Sequence, residues 1–447
     1  MAEDGKLEKL EKDFAPVVDA TIPEAEGLAK AGKLTEALDL LLGLEKQTRV
    51  GADLASNSRV LIAIVNLSYE SGDWKLLNEN VVLLSKKHGL LKAAITKMVQ
   101  RTMEFIEKTP DQKTKLELIE TLRAVTEGKI FVEVERARVT RILSKIREEE
   151  GKLPEAADIL QELAVETFGS MDKREKTDFI LEQMRLLLAK NDYIRAQIIS
   201  RKISTKFFSD EANHDLKLRY YNLMVQYAKH EGQYLNVCKY YREIYNTPSV
   251  LKDDAKWTEV LKNIVYFIVL SPYDNEQSDL IHRIDEEPNL AKAPILKEFT
   301  KNFITNELMR WPKIEEIFGP ILRDNDVFAK SEDGEKRWKD LHKRVIEHNI
   351  RVLAKYYDRI SVKRLEQLLD LSGAEAESFL SNLVVNKTVW AKIDRPAGII
   401  SFVPRKDPNS TLNEWSTSIN SLLELIVKTT HLITKEEMVH SITKTVI

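Results

Sequence analysis

Apolar residues along the first two-thirds of the chain recur at intervals of three and four, and these runs are cut at a regular period. Ile159, Leu160 and Leu163, then Ile180, Leu181, Met184, Leu187 and Leu188, follow the spacing of helices with one buried stripe. Gly32, Gly72, Gly151, Asn191 and Gly232 interrupt the pattern at intervals of 40, 79, 40 and 41 residues, a period near 40 with one copy skipped. Two residues after each break stands a large side chain (Leu34, Trp74, Leu153, Tyr193, Tyr234), and five after it an aliphatic one (Ala37, Leu77, Ala156, Ala196, Val237). Gly or Asn ends a helix there because it takes positive φ at little cost. A small residue at a fixed offset in the next helix lets two helices approach closely. The pattern predicts a mostly all-α chain whose residues 23–322 form a TPR-like α-solenoid of stacked helix pairs. The skipped copy is expected near residue 112, where Pro110 and Asp111 precede Leu116, Leu118, Ile119 and Leu122. A further copy is expected from Pro272 into Leu280, Ile281 and Ile284, and residues 1–22 read as a frayed N-terminus.

Beyond residue 322 the pattern changes. Residues 323–337 are polar and aperiodic and read as an exposed loop or hinge. A helix is expected from Trp338 to Ile360, then a short one capped by Ser361 with Leu365, Leu368 and Leu369. Ser372 and Glu375 form a capping box that opens another helix, with Phe379, Leu380, Leu383 and Val384 on one face. Two β-prone runs follow, Thr388–Ile393 and Ile399–Val403, joined by a turn at 394–398. Helix, turn, helix, hairpin predicts a winged helix over 338–404. Residues 405–447 form a helical tail: a helix from about Leu412 with Trp415, Ile419, Leu422, Leu423 and Ile426 on one stripe, then a short helix opened by a capping box at Thr434 and Glu437.

Composition sharpens this picture in two respects. Gly (15) and Pro (13) each make up roughly 3% of the 447 residues, against averages of about 7% and 5%, which fits long helices and short turns. Charged residues are 31% of the chain, yet the formal net charge is only −3, so no overall basic field for nucleic acid or anionic membrane exists. Cys238 is the single cysteine, which precludes an intrachain disulfide and favours a reducing compartment. The charged first residues lack the apolar stretch of a signal peptide, and the longest apolar run, Ile264–Leu270, is too short to span a bilayer.

The motifs that would carry chemistry are each incomplete. Gly27 to Lys33 matches the glycine–lysine frame of a phosphate loop, but Leu34 stands where a magnesium-binding hydroxyl is needed and no strand precedes it. His230-Glu231 begins a zinc motif whose second histidine position is Tyr234, and Glu347-His348 ends one whose first position is Arg344. No His-x-His pair occurs. Cys238 sits beside Val237 on an apolar face and reads as buried filler. No catalytic residue, cofactor site or metal site is therefore expected. The second winged-helix helix opens with Glu375 and Glu377, where a DNA reader needs cations, and the wing offers only Lys392 and Arg395. The hairpin instead carries Val389, Trp390, Ile393, Ile399, Ile400 and Phe402, apolar on both faces. Together with the tail stripe of Trp415, Ile419, Leu422, Leu423 and Ile426, these are the predicted protein-binding residues.

Helical repeats followed by a winged helix and a terminal helix resemble the PCI architecture of the proteasome lid, the COP9 signalosome and translation initiation factor 3. Residues 343–357 (KRVIEHNIRVLAKYY), 359–371 (RISVKRLEQLLDL), 128–140 (GKIFVEVERARVT), 305–312 (TNELMRWP) and 429–438 (TTHLITKEEM) closely resemble a non-ATPase PCI subunit family of the 26S proteasome lid, across about residues 30–440. The resemblance implies a PCI domain over roughly 232–404 and a non-catalytic scaffold subunit in ubiquitin-dependent degradation, in cytoplasm and nucleus. It implies contacts with other PCI subunits and the deubiquitinase subunit, with the solenoid reaching the ATPase ring or core particle. No nucleic acid, membrane or small-molecule substrate is expected. A PCI subunit of the signalosome and a winged-helix nucleic-acid-binding factor are the alternatives.

Overall fold

A computed structural model of the chain describes residues 14–89, 91–403 and 407–444, with side chains to residue 440. The first thirteen residues of the expected frayed segment and Pro404 lie outside the described residues. The chain divides into two compact units: Met1–Gly232 with Glu243–Asp253, and Gln233–Arg242 with Asp254–Ile447.

The first unit consists of antiparallel helix pairs, and the periodic signal marks their joints residue by residue. Gly32, Gly72, Gly151, Asn191 and Gly232 all adopt positive φ, between 66° and 82°. Each large residue two positions on is the first of a helix, as in Leu34–Val50, Trp74–Ser85, Leu153–Gln161 and Tyr193–Ser200. Ala37, Leu77, Ala156 and Ala196 are completely buried, as is Val237 in the second unit. The turns close through the Schellman bond, seen in Lys33 N to Leu28 O, Lys152 N to Arg147 O and Asp192 N to Leu187 O. The skipped copy is a helix, Gln112–Thr126, that buries Leu118, Ile119 and Leu122.

The N-terminus departs from expectation. A helix runs from Ala15 to Lys30 and buries Val18 and Ala25, so the solenoid begins some eight residues earlier than 23. Pro16 is tolerated because the first turn of a helix has no use for its missing N–H.

Charged side chains form a ladder between repeats. Arg141 pairs with Asp178, Asp178 with Arg219, Arg219 with Glu182, Glu182 with Arg185, and Arg185 with Glu148. The ladder ties together the Glu133–Glu149, Lys173–Ala189 and His214–His230 helices. Burial alone would raise the Glu182 carboxyl, but Arg185, Arg219 and Arg141 hold it below the usual carboxylate range. Deeper in, Glu45 is only 1% exposed and is held by Arg49 at 2.9 Å and by Lys87, one repeat away, at 2.8 Å.

The second unit starts with helices Asp254–Leu270, Asn275–Asp285, Pro294–Ile304 and Trp311–Arg323. The Asn275–Asp285 helix buries Leu280, Ile281 and Ile284, the residues of the further copy expected from Pro272. The segment read as an exposed loop is shorter and pinned. Glu332 already opens the next helix, Ser331 caps it, and Val327 and Phe328 are buried. Gly334 is obligatory there, because a Cβ would lie 1.9 Å from the Ala329 carbonyl oxygen.

The long helix ends at Tyr356, not at Ile360, because Arg359–Ser361 forms a strand, β1. With β2 (Lys392–Asp394) and β3 (Ile399–Ser401) it makes an antiparallel sheet in the order β1-β3-β2. Ile360, Ile400 and Ile393 lie in register and face the core. Helices Val362–Leu369 and Gly373–Val385 pack on that face, the second with the capping box of Ser372 and Glu375 formed. The winged-helix core joins Ile346, Ile350 and Leu353 of the long helix to Leu365, Leu380 and Leu383. The tail is a single helix, Pro408–Lys444. Thr434, expected to cap a new helix, instead turns its hydroxyl back to the Thr430 carbonyl at 3.0 Å and the helix runs through.

Candidate protein-interaction surfaces

The hairpin's apolar residues separate by strand position. Val389, Ile400 and Phe402 belong to the winged-helix core, and Ile393 packs against it, so their side chains are occupied within the chain. Of the predicted protein-binding residues, these four therefore lie in or against the chain's own core. β3 is the central strand, so Ile400 has neighbours on both sides, whereas β1 and β2 are the free edges. Ile399 and Trp390 remain about 40% exposed. The outer face of the sheet carries Arg359, Ser401 and Lys392 in one register row and Ser361, Ile399 and Asp394 in the next. Tyr356, Trp390 and Val403 border the same shallow hollow of about 970 Å³. A three-strand sheet with one buried face and an outer face of mixed aromatic, aliphatic and charged groups suits a protein partner.

Sequence reasoning missed Tyr356 and Arg359 because it placed both in a helix. β1 has only three residues, too few for an alternation signal to register.

The tail presents the larger surface. At about 1.5 Å per residue its 37 residues extend roughly 55 Å, and every described side chain on it is exposed. Trp415 is 65% exposed, and Ile419, Leu422, Leu423 and Ile426 are open as well. The apolar surface continues past the predicted stripe through Leu425, Leu432 and Val439, spaced by seven, and through Ile433 and Met438. That heptad spacing was legible, but the assumed break at Thr434 hid it. Leu412, Trp415, Ile419, Leu422, Ile426 and Ile433 make the central seam, and Leu423, Leu425 and Leu432 widen it on both flanks. A seam this wide suits contact with more than one helix.

The residues weighed for chemistry have structural places. Gly27 lies inside the first helix and Gly32 at its closing turn, so this segment is a helix terminus. Cys238 is buried, and burial pushes its thiol up to about 12. His230 stacks on the Tyr193 ring at 3.6 Å. Among the described residues no group of three metal-binding side chains converges, and no helix is long and apolar enough to cross a membrane. On the wing, Arg395 donates to Glu377 of the second helix at 2.9 Å, which ties up one of its two cations. The segments 305–312 and 343–357, distant in sequence, meet here: Asn349 accepts from Met309 N at 2.9 Å and donates to Met309 O at 2.6 Å.

Helical repeats, a winged-helix module and a terminal helix whose described side chains are exposed make up a PCI-type architecture. The comparisons agree along the chain: a family described as PSMD12/CSN4, N-terminal, matches residues 36–253, the PCI domain matches 299–403, and the 26S proteasome regulatory subunit RPN5 C-terminal domain matches 409–441. The chain is 48% identical over 436 residues to 26S proteasome regulatory subunit RPN5 of Saccharomyces cerevisiae, covering 97% of this chain and 98% of the relative. It is 47% identical to 26S proteasome non-ATPase regulatory subunit 12 of Dictyostelium discoideum, covering 97% of each. Likeness to COP9 signalosome complex subunit 4 of Drosophila melanogaster falls to 24% over 404 residues. The chain belongs to the RPN5/non-ATPase regulatory subunit 12 family of 26S proteasome regulatory subunits.

Proposed function

We propose that this chain is a non-catalytic structural subunit of the 26S proteasome lid, acting in ubiquitin-dependent degradation by holding other subunits in place. The carrying observation is the Pro408–Lys444 helix, whose wide apolar face is exposed along its described length. An amphipathic helix of this kind is stabilised by burial against other helices. The tail is thus the part that enters a bundle with neighbouring lid subunits. The outer sheet face and the β1 and β2 edges meet an adjacent PCI subunit, and the helical repeats reach the ATPase ring or core particle. The chain works in cytoplasm and nucleus, and binds no nucleic acid, membrane or small-molecule substrate.

Affinity purification of the tagged full-length chain, followed by mass spectrometry, tests the reading. Lid subunits in stoichiometric amounts are expected. Recovery of signalosome subunits alone, or of ribosomal or DNA-bound partners, would replace it. The purified chain is expected to show neither ATP hydrolysis nor cleavage of ubiquitin chains.

A further inference from the structure

A cavity of about 490 Å³ lies within the second unit, where the Glu332–Tyr356 helix meets the Asn275–Asp285 helix and the Thr388–Trp390 segment. One face of the long helix forms its floor, with Arg344, Glu347, His348, Arg351 and Lys355 at helical spacing. The charges there do not balance. Arg344 pairs with Glu347 at 2.5 Å, but among the described residues no carboxylate lies within ion-pair distance of Arg351 or Lys355. The Arg351 guanidinium sits 3.6 Å from the centre of the Tyr273 ring, and burial lowers its proton affinity. Lys355 Nζ donates to the neutral Asn306 Oδ1 at 2.7 Å. The Nε groups of Arg344 and Arg351 are both buried without an acceptor.

Inside the cavity Arg351 is favoured by a hydrogen bond to Tyr273 and by the charge of Glu347, but Glu347 is the one carboxylate of the lining and is already paired with Arg344. His348, pushed down to about 4 by burial and by Arg351, is neutral at pH 7, and its Nε2 lies 3.3 Å from the Glu307 carbonyl. His282 and Ser278 on the opposite helix bring no negative charge. Three cations, Arg344, Arg351 and Lys355, against the single carboxylate of Glu347, beside two buried and unmatched N–H donors, make a cradle for an anion with at least two oxygens. Its volume suits a small ligand or the side chain of a peptide, and the half-exposed Tyr273 and Trp390 leave the mouth open.

We propose that this cavity binds an oxyanion, a carboxylate or a phosphate group, between Arg351 and Lys355 with the Nε–H of Arg344 as a further donor. The group comes either from an acidic peptide segment or from a free phosphate compound. The site is independent of the tail and the outer sheet face, and of the lid assignment.

Titration calorimetry on the full-length chain tests it, with pyrophosphate in one arm and a capped pentaglutamate peptide in the other, at ionic strength fixed with sodium chloride. Saturable one-to-one binding is expected in at least one arm, with Lys355→Gln and Arg351→Gln each weakening it about tenfold. Tighter binding of pyrophosphate identifies the phosphate source, and tighter binding of the peptide identifies the carboxylate source. Lys355 is exposed and its replacement leaves the core intact, so it carries the test if Arg351→Gln fails to fold. Absence of binding in both arms, or affinity unchanged by Lys355→Gln, overturns the proposal.

Discussion

The Asp254–Leu270 and Pro408–Lys444 helices are both rich in Ile, Leu and Val, yet the first buries Trp257, Leu261 and the whole run Ile264–Leu270 while the second buries no described side chain. The first has apolar residues around its full circumference at its C-terminal end, and neighbouring helices enclose it. The second interleaves its seam with Ser, Thr and Asn. Thr417, Ser418, Thr429 and Thr430 bond back to their own helix, to Asn413, Glu414, Leu425 and Ile426 carbonyls, and so need no partner elsewhere. Apolar content therefore says which surface is sticky; the polar residues around it say whether the helix is enclosed by its own chain or left for another.

The largest test of this contrast removes residues 408–447. The truncated chain is expected to be excluded entirely from the assembled lid while its melting temperature stays within a few degrees of the full chain. Incorporation at normal levels, followed by native gel and mass spectrometry of the purified lid, would dismiss the tail as the assembly element. Conversely, Phe267→Ala within the enclosed helix is expected to cost about 3–5 kcal/mol of unfolding free energy, measured by urea denaturation, because it opens a cavity at a completely buried position.

The ion ladder gives a smaller effect with a sign. Glu182 is held below its ordinary carboxylate range by its arginines, so the unfolded chain takes up its proton first as pH falls. Its stabilising contribution is present above the ordinary value of about 4.3 and is lost as pH drops through the lowered folded value. Glu182→Gln is expected to lower stability by about 1–2 kcal/mol at pH 7 and to flatten the acid limb of a melting-temperature profile. An unchanged acid limb would mean that the ladder carries no net stability.

Least perturbing to the free chain is Ile399→Asp on the outer sheet face, a surface change expected to alter folding by no more than about 0.5 kcal/mol. The same substitution is expected to weaken pairwise binding to an adjacent PCI subunit about tenfold, read by surface plasmon resonance. Ile400→Pro is the contrasting control. It breaks the central strand, so its loss of binding accompanies unfolding of the wing, whereas that of Ile399→Asp does not.

Much of this molecule was written locally. Positive φ at Gly32 and Asn191 and the capping box at Ser372 depend on neighbours within one turn, and sequence order alone specifies them. The breakpoints of longer range were decided by tertiary structure. Arg359–Ser361 is a strand because Ile399–Ser401 lies beside it, some forty residues on, and backbone hydrogen bonding to that strand outweighs continuing the helix. The core claimed Val389, Ile400 and Phe402 because the Val362–Leu369 and Gly373–Val385 helices cover one face of the sheet, a choice that an apolar hairpin read alone leaves open. The Arg141–Glu148 ladder and the unbalanced Arg351 cavity arise only when segments distant in the chain are stacked. A sequence carries the charge of each side chain, but its counter-ion is set by the fold.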